Sequence, residues 1–472
     1  MESAELTAAA GSVSFEQVEP RSARASPNGR RPVVVEPDLR FIRDLSRSGG
    51  DSLKKCMQCG TCSAACPLSP DTNPFPRKEM AWALWGMKDR LMEDPDVWLC
   101  HHCNDCSTSC PRGTRPGDVL GGIRQQCILH YAFPRFLARW VSRPAFIPLL
   151  LAIPAVLLGL AMWYREPLGE ALGVSGPGMD LIVYSFMPSL PHWLINSFFG
   201  FFTLLAFIAA VIGLVRFTRG IKRSHVWGED PKPVKGILPS MGSVFLKIFA
   251  HDKFTTCETD HSRSISHFFV FFGFIALLVV TLWIITGPYN PLIRSEFVYP
   301  FSFWSPWKLL ANIGGLALLV GLLLMIWERL YFGHLAGTSS YFDWALVWTL
   351  FLVVATGFAA EILHLLRMVP HRQVAYFVHL VFVFALLIYL PYSKLAHMLY
   401  RTTAMVLAER YGREPGSHLK GLWTGHEVPE ASKGPEGPAT VAAVTGLAAA
   451  PMAVASMDET GSPPQAGNGG ST

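Results

Sequence analysis

Six apolar segments, at 145–163, 193–215, 268–287, 309–327, 344–360 and 374–393, run without a single charged side chain. A hydrocarbon core of about 30 Å takes about 20 helical residues to cross. Inside it every backbone N–H and C=O has to find its partner within the protein, so runs of this length cross as α-helices. Six of them in succession argue for a membrane bundle rather than for buried helices of a large soluble protein. Half the residues are hydrophobic and only 16% are charged, against about 25% in soluble domains. The fifth run is expected to continue past Glu361 to about 366 and the sixth to 397. The predicted spans are therefore 145–163, 193–215, 268–287, 309–327, 344–366 and 374–397. Pro148 and Pro154 sit in the first, where membrane helices tolerate them.

Loop charge sets the orientation. The connection 216–263 carries nine Lys and Arg residues, and Arg124, Arg135, Arg139 and Arg143 precede the first span. The three opposite connections together carry Arg165, Arg294, Lys308, Arg367 and Arg372. The positive-inside rule then puts both termini and the 216–263 loop in the cytoplasm, with the chain multi-pass in the cytoplasmic membrane. The net charge of +5 is modest and its basic residues lie beside apolar segments, which points to a membrane surface and away from nucleic acid. No apolar leader opens the chain, so no secretory signal is expected. Residues 1–37 and 411–472 have the composition of a disordered arm and a disordered cytoplasmic tail. Between them lie a polar cysteine domain (38–135) and a membrane domain (136–410).

Eight of the ten cysteines fall in two runs, Cys56-x2-Cys59-x2-Cys62-x3-Cys66-Pro67 and Cys100-x2-Cys103-x2-Cys106-x3-Cys110-Pro111. Three thiolates at this spacing reach three corners of one [4Fe–4S] cube, and the fourth, before proline, ligates the other cube. The expected ligand sets are Cys56, Cys59, Cys62 and Cys110 for one cluster and Cys100, Cys103, Cys106 and Cys66 for the second. Paired zinc sites are the alternative, because Cys-x2-Cys repeats also suit zinc. Between the runs, Met80, Leu84, Met87 and Leu91 recur at helical spacing, so the domain is predicted to be helical. No internal repeat stands out along the chain. Cys127 and Cys257 are isolated and read as structural thiols.

Histidines mark the membrane part. His379 and His397 are 18 residues apart, five turns if one helix carries both, with a rise of about 27 Å. His267 opens the third span at the depth expected for His397. Facing imidazoles on two helices suit the axial positions of a b-type haem, while interfacial histidines bonded to backbone or water are the plainer alternative. His101 and His102 lie within the second cysteine run and are read as neighbours of its cluster. His225, His251, His261, His334, His371, His418 and His426 are read as solvated.

The stretch Cys56 to Pro111 resembles the C subunit of heterodisulfide reductases. Ala375-Tyr-Phe-Val-His379 through Pro391-Tyr-Ser-Lys-Leu-Ala-His397 resembles the last helix of the nitrate reductase gamma-type cytochrome b. Their fusion resembles the C subunit of quinone-interacting membrane-bound oxidoreductases, over roughly 40–410. The resemblance implies a mainly α fold, a helical two-cluster ferredoxin domain followed by a six-helix transmembrane cytochrome b bundle. It implies His267 and His397 as the axial pair of a cytoplasmic-side haem and His379 as a ligand of an outer one. Ten residues after His267, where that family carries the other outer ligand, this chain has Leu277. His364 is the expected substitute and His192 the alternative, so the haem count is one or two. Glu361, with Arg367 nearby, is the candidate protonic group of a quinone site.

The resemblance further implies a redox subunit, incomplete as an enzyme alone, that exchanges electrons with membrane quinone. Its implied cytoplasmic partners are flavin and iron–sulfur subunits like heterodisulfide reductase A, and beyond them adenylylsulfate reductase of sulfur metabolism. A membrane subunit of a heterodisulfide or thiol reductase competes with this reading, but the chain has no adjacent cysteine pair. A non-catalytic redox-active membrane anchor is the other competitor. A transporter would want broken helices with paired polar groups at the midplane, and the spans carry little of either.

Overall fold

Asp38 starts the first helix by accepting the Phe41 backbone N–H at 2.8 Å, which satisfies one of the orphan donors of a helix start. The computed structural model describes residues 36–171, 191–228, 231–251, 261–287, 290, 301–332 and 337–413. The expected arm (but for Glu36 and Pro37) and the expected tail beyond Arg413 lie outside the described residues, as do Cys257 and His334. Among the described residues the fold is mainly helical and contains no strand.

The cysteine domain is built from short helices: α1 (Leu39–Arg47), α2 (Thr61–Ala64), α3 (Arg77–Leu84), α4 (Lys88–Met92), α5 (Asp96–Leu99), α6 (Asp105–Thr108) and the longer α7 (Pro116–Tyr131). The residues at helical spacing from Met80 to Leu91 fall in two helices, α3 and α4, with Leu84 ending the first and Met87 just before the second. Gly86 between them has φ +66°, and a β-carbon there would lie 2.9 Å from the Asp38 backbone nitrogen. Only glycine meets both demands cheaply. Met80, Leu91, Met92, Val119, Leu120, Ile123 and Cys127 form the core of this domain.

After α8 (Arg135–Val141) the chain enters α9 (Ile147–Trp163), α10 (Arg165–Ala171), α11 (His192–Lys222), α12 (Ile237–Phe249), α13 (His261–Thr286), α14 (Pro306–Tyr331), α15 (Tyr341–Leu365), α16 (Val369–Ile388) and α17 (His397–Arg410). Six stretches are long and apolar enough to cross a bilayer: Pro144–Trp163, Trp193–Lys222, Arg263–Thr286, Pro306–Tyr331, Tyr341–Leu365 and Val369–Ile388. The chain is thus a multi-pass membrane protein by length and composition. α13 and α14 approach most closely at glycines. A β-carbon on Gly273 would lie 2.6 Å from the Gly314 carbonyl, and one on Gly321 2.8 Å from the Ser266 carbonyl. Small residues let helix backbones meet where lipid supplies no hydrophobic drive.

The sixth helix is shorter than expected. It stops at Ile388, and the chain makes two 3-10 turns, Leu390–Tyr392 and Lys394–Ala396, before α17 begins at His397. Pro391 has no N–H to continue the ladder. Tyr389 and Tyr392 donate their hydroxyls to the Leu150 and Phe133 carbonyls at 3.0 and 2.9 Å, and Ser393 caps the second turn. His379 and His397 therefore belong to different helices, and the five-turn argument for them does not hold.

The division expected at 135 is not a boundary in the packing. Trp98 of the cysteine domain stacks on Tyr400 of α17 at 5.4 Å and meets Phe217 of α11 edge-on at 5.6 Å, and Tyr131 meets Phe217 at 5.4 Å. One hydrophobic core runs from the cysteine domain into the end of the membrane bundle.

Candidate functional site

The two cysteine runs, equal in spacing, are the same loop built twice. In the first, Gln58 and Gly60 have φ of 61° and 90°; at the same places in the second, His102 and Asn104 have φ of 63° and 72°. Each loop then opens a one-turn helix, α2 or α6, that carries the third cysteine. Glycine and asparagine are the residues that enter this left-handed region most readily, and Gly60 pairing with Asn104 was the available signal. Side chain and backbone turn to sulfur: Gln58 Nε2 donates to Cys56 Sγ at 3.4 Å, and the His102 N–H to Cys100 Sγ at 3.3 Å.

The fold gathers Cys56, Cys59, Cys62 and Cys110 around one small hollow with Arg77 and Arg112 on its rim. Cys66 and Cys106 sit with Cys100 and Cys103. Burial first, then the neighbouring thiols, pushes Cys62 up to about 11, and the same causes push Cys66 and Cys106 well up. Cys62, Cys66, Cys100 and Cys106, whose thiols burial holds against ionisation, fit cationic iron, which favours the thiolate. All eight are free of disulfides. Cys59 is exposed, whereas Cys100 and Cys106 are buried, so the first group lies at the surface and the second inside.

Beneath the second group is a cavity of about 340 Å³, lined by Cys103, His101 and His102 above and by His267, His397 and Arg401 below. Phe271, Phe274, Leu322 and Leu350 give it apolar walls. His397 Nδ1 lies 2.7 Å from the Lys394 carbonyl, which takes its proton and leaves Nε2 with the lone pair. His267 Nδ1 lies 3.4 Å from His251 Nε2. Orienting an imidazole through one nitrogen so that the other can ligate is what metal-binding histidines do. The cations on the wall, Arg124, Lys247, Arg263, Arg329, Lys394 and Arg401, outnumber its two carboxylates, Glu328 and Asp343. Lys394 is paired with Asp343. An apolar ring system bearing carboxylates, held between His267 and His397, fits this donor set. His251, expected to be solvated, lines the cavity. His225, also expected in solvent, meets Trp82 edge-on at 4.9 Å.

The roof of the cavity is neutral. Burial, with Arg401 and Arg263 adding to it, holds His101 down to about 2, and burial holds His102 down to about 4. Arg401 meets His101 Nδ1 at 3.2 Å, and Arg263 donates to the His102 carbonyl at 2.8 Å. His102 Nε2 lies 2.9 Å from Asp118, which also accepts the Thr338 backbone N–H and hydroxyl at 2.9 and 2.8 Å. Asp118 thereby fastens the second cysteine loop to the connection between α14 and α15. Burial, the largest influence, would raise this carboxyl, but His102 and the two bonds from Thr338 together outweigh it and the net direction is down.

The outer-side candidates are not brought together. His379 points its Nδ1 at the Val353 carbonyl, 3.0 Å away, with Thr356 at 3.2 Å, while His364 meets Arg372 at 3.3 Å. Seven residues separate Arg372 from His379 on α16, which is about 10 Å along the axis. Each imidazole is turned to a different partner. His192 opens α11, but its side chain lies outside the described residues. Glu361 pairs with Lys308 at 2.9 Å and accepts from Asn312 at 3.2 Å, so its partner is on α14 and is not Arg367.

A family model described as a 4Fe-4S dicluster domain matches residues 52–114. The C subunit of the H(2):CoB-CoM heterodisulfide,ferredoxin reductase of Methanothermobacter marburgensis is 39% identical over 89 residues, 19% of this chain and 48% of that protein. A protein of Archaeoglobus profundus, described as like the C subunit of heterodisulfide reductase, is 35% identical over 99 residues, 21% of this chain and 53% of that protein. The chain spans about half the length of these curated relatives. Citrate utilization protein B of Escherichia coli is 25% identical over 335 residues, 67% of this chain and 83% of that protein. A match of that length reaches well beyond the cysteine runs. No solved structure matches. The chain carries a heterodisulfide reductase C-like 4Fe–4S domain, and six membrane-type helices follow it.

Proposed function

We propose that the chain is the membrane component of a quinone-linked oxidoreductase, passing electrons between quinone, a b haem, two [4Fe–4S] clusters and a cytoplasmic partner. The observation that carries this reading is the cavity in which His267 and His397 face a wall containing Cys103. A redox group held there would lie against the buried cysteine group, and the other group would lie at the exposed surface around Cys59. One-electron carriage is what these cofactors supply when bound. The chain's own part is placement. His397 and His267 present oriented imidazoles, the arginines suit carboxylates, and the aromatic walls exclude water.

The partner at the Cys59 surface would be a flavin and iron–sulfur protein related to heterodisulfide reductase A, with adenylylsulfate reductase beyond it. The haem count is proposed as one, at His267 and His397; a second at His379 would need a ligand other than His364. On the outer side Glu361, with Lys308 and Asn312, is the candidate protonic group for quinone, with Arg367 as a rim charge.

The test is a pyridine haemochrome assay on anaerobically purified protein with intact clusters. About one haem b per chain is expected, and His397→Ala should lose it while non-haem iron and labile sulfide stay constant. Absence of haem from cluster-replete protein would leave a ferredoxin on a membrane anchor. The second reading, the membrane component of a heterodisulfide reductase, is favoured by the relatives' names and would need thiol chemistry from a partner.

A further inference from the structure

α12 is built inside out. Its inward stripe is Ser240, Ser243, Val244, Lys247 and Ile248, while Ile237, Leu238, Met241, Phe245, Leu246 and Phe249 face outward. Leu238 and Leu246 are 75% and 73% exposed, yet Ser240 is fully buried. No charge lies on the outer stripe, and the helix's single charged residue, Lys247, turns inward to Glu409 at 2.6 Å. Lys235, just before the helix, reaches the same carboxylate at 2.5 Å, and the Val234 and Lys235 N–H groups both bond the Arg410 carbonyl. A helix held this firmly with its apolar side out is not a water-facing surface helix, whose polarity runs the other way.

We infer that α12 lies in the plane of the membrane interface, with its outer face seated against lipid. The surface itself names the occupant. Phe249 meets Phe271 of the third membrane helix at 5.7 Å, His251 just past α12 meets Phe268 of that helix at 5.7 Å, and Phe268 is exposed. The outer face of α12 thus runs without a break into the lipid-facing side of α13. It lies between the second and third spans, where an in-plane amphipathic helix sinks its apolar side to the acyl boundary. Lys247, Ile248 and His251 on its inner side line the cavity that holds His267 and His397. α12 is therefore the partition between that cavity and the bilayer interface. The inference rests on the six spans and not on the cavity's content.

The test uses the full-length protein in nanodiscs of phosphatidylethanolamine and phosphatidylglycerol. p-Benzoylphenylalanine replaces Leu238 or Leu246 in separate variants, Leu316 on the exposed flank of α14 as a lipid reference, and Lys54 as a water reference. After illumination, mass spectrometry of the labelled peptides reads the adduct. Lipid adducts at Leu238 and Leu246 are expected at yields within about twofold of Leu316. Yields at the Lys54 level would overturn the inference, and so would adducts with a second protein chain. Iron and labile sulfide content shows that each variant is folded, and the two positions are independent. A haem-free preparation answers the question equally well, so failure here and failure of the electron-transfer reading are separable.

Discussion

Asp118 shows how much one buried carboxylate can organise. It receives His102, the backbone and hydroxyl of Thr338, and Arg115 at 3.3 Å. Each bond to a charged acceptor contributes about 1.5–3 kcal/mol, and an orphaned buried donor costs on the same scale. Asp118→Ala is expected to destabilise by about 3 kcal/mol and Thr338→Ala by about 1 kcal/mol, measured by thermal unfolding in detergent. A second buried cluster predicts a pH effect. Glu79, Asp94 and Asp96 share Lys78 and Arg413, and Asp94 accepts the Asp96 N–H at 2.9 Å. Three carboxylates against two cations leave one charge too many, and burial pushes Glu79 up and Asp94 up to about 6. A carboxyl whose folded value is raised stabilises the fold below its ordinary value near 3.8 and loses that contribution as pH rises through about 6. The melting temperature is therefore expected to fall between about pH 4 and about pH 6.5, after correction for other groups. Asp94→Asn, which carries the neutral form permanently, should flatten that slope and remain folded at about pH 7; an unchanged slope would remove the shared-proton account.

At the scale of elements, the pair α13 and α14 sets the position of His267. Gly321→Leu would force a side chain into the space now 2.8 Å from the Ser266 carbonyl and the Val270 nitrogen. Backbone cannot yield as a flexible side chain would, so a loss of about 3 kcal/mol is expected, with weakened binding of the haem proposed at His267 next door. Gly159→Leu on α9, where nothing lies within 4 Å, should be silent in the same assay. The spans were legible in the sequence because lipid demands uninterrupted apolar helices, and the cysteine runs because iron demands fixed ligand spacing. The break at Pro391 was not, because membrane helices often absorb a proline; here Tyr389, Tyr392 and Ser393 hold the turn open. Nor were His251 and the arginines of the cavity. His251 is placed by α12 folding back on α17, which no local pattern in 216–263 signals, and the arginines converge from α7, α13, α14 and α17. Glu361 was singled out, but its partner Lys308 is 53 positions away, and only packing brings the two together.

For the whole molecule, the order of parts is a surface group of cysteines, a buried group, a cavity and a membrane bundle, joined by one core. Lys54, Lys55, Arg77 and Arg112 are exposed around the surface group. Electron delivery from reduced protein to an acidic plant-type ferredoxin is expected to slow about tenfold between about 0.02 M and about 0.3 M salt. Lys54→Glu with Lys55→Glu should remove most of that dependence in stopped-flow mixing, with the cluster content unchanged. The crossing of the fourth cysteines has a further consequence, for biogenesis. Cys66 belongs to the first run but stands with Cys100 and Cys106, and Cys110 of the second run stands with Cys56 and Cys59. Neither run supplies all four thiols of either group, so a nascent chain that ends before Cys100 is expected to offer the cell's iron–sulfur delivery machinery no complete site.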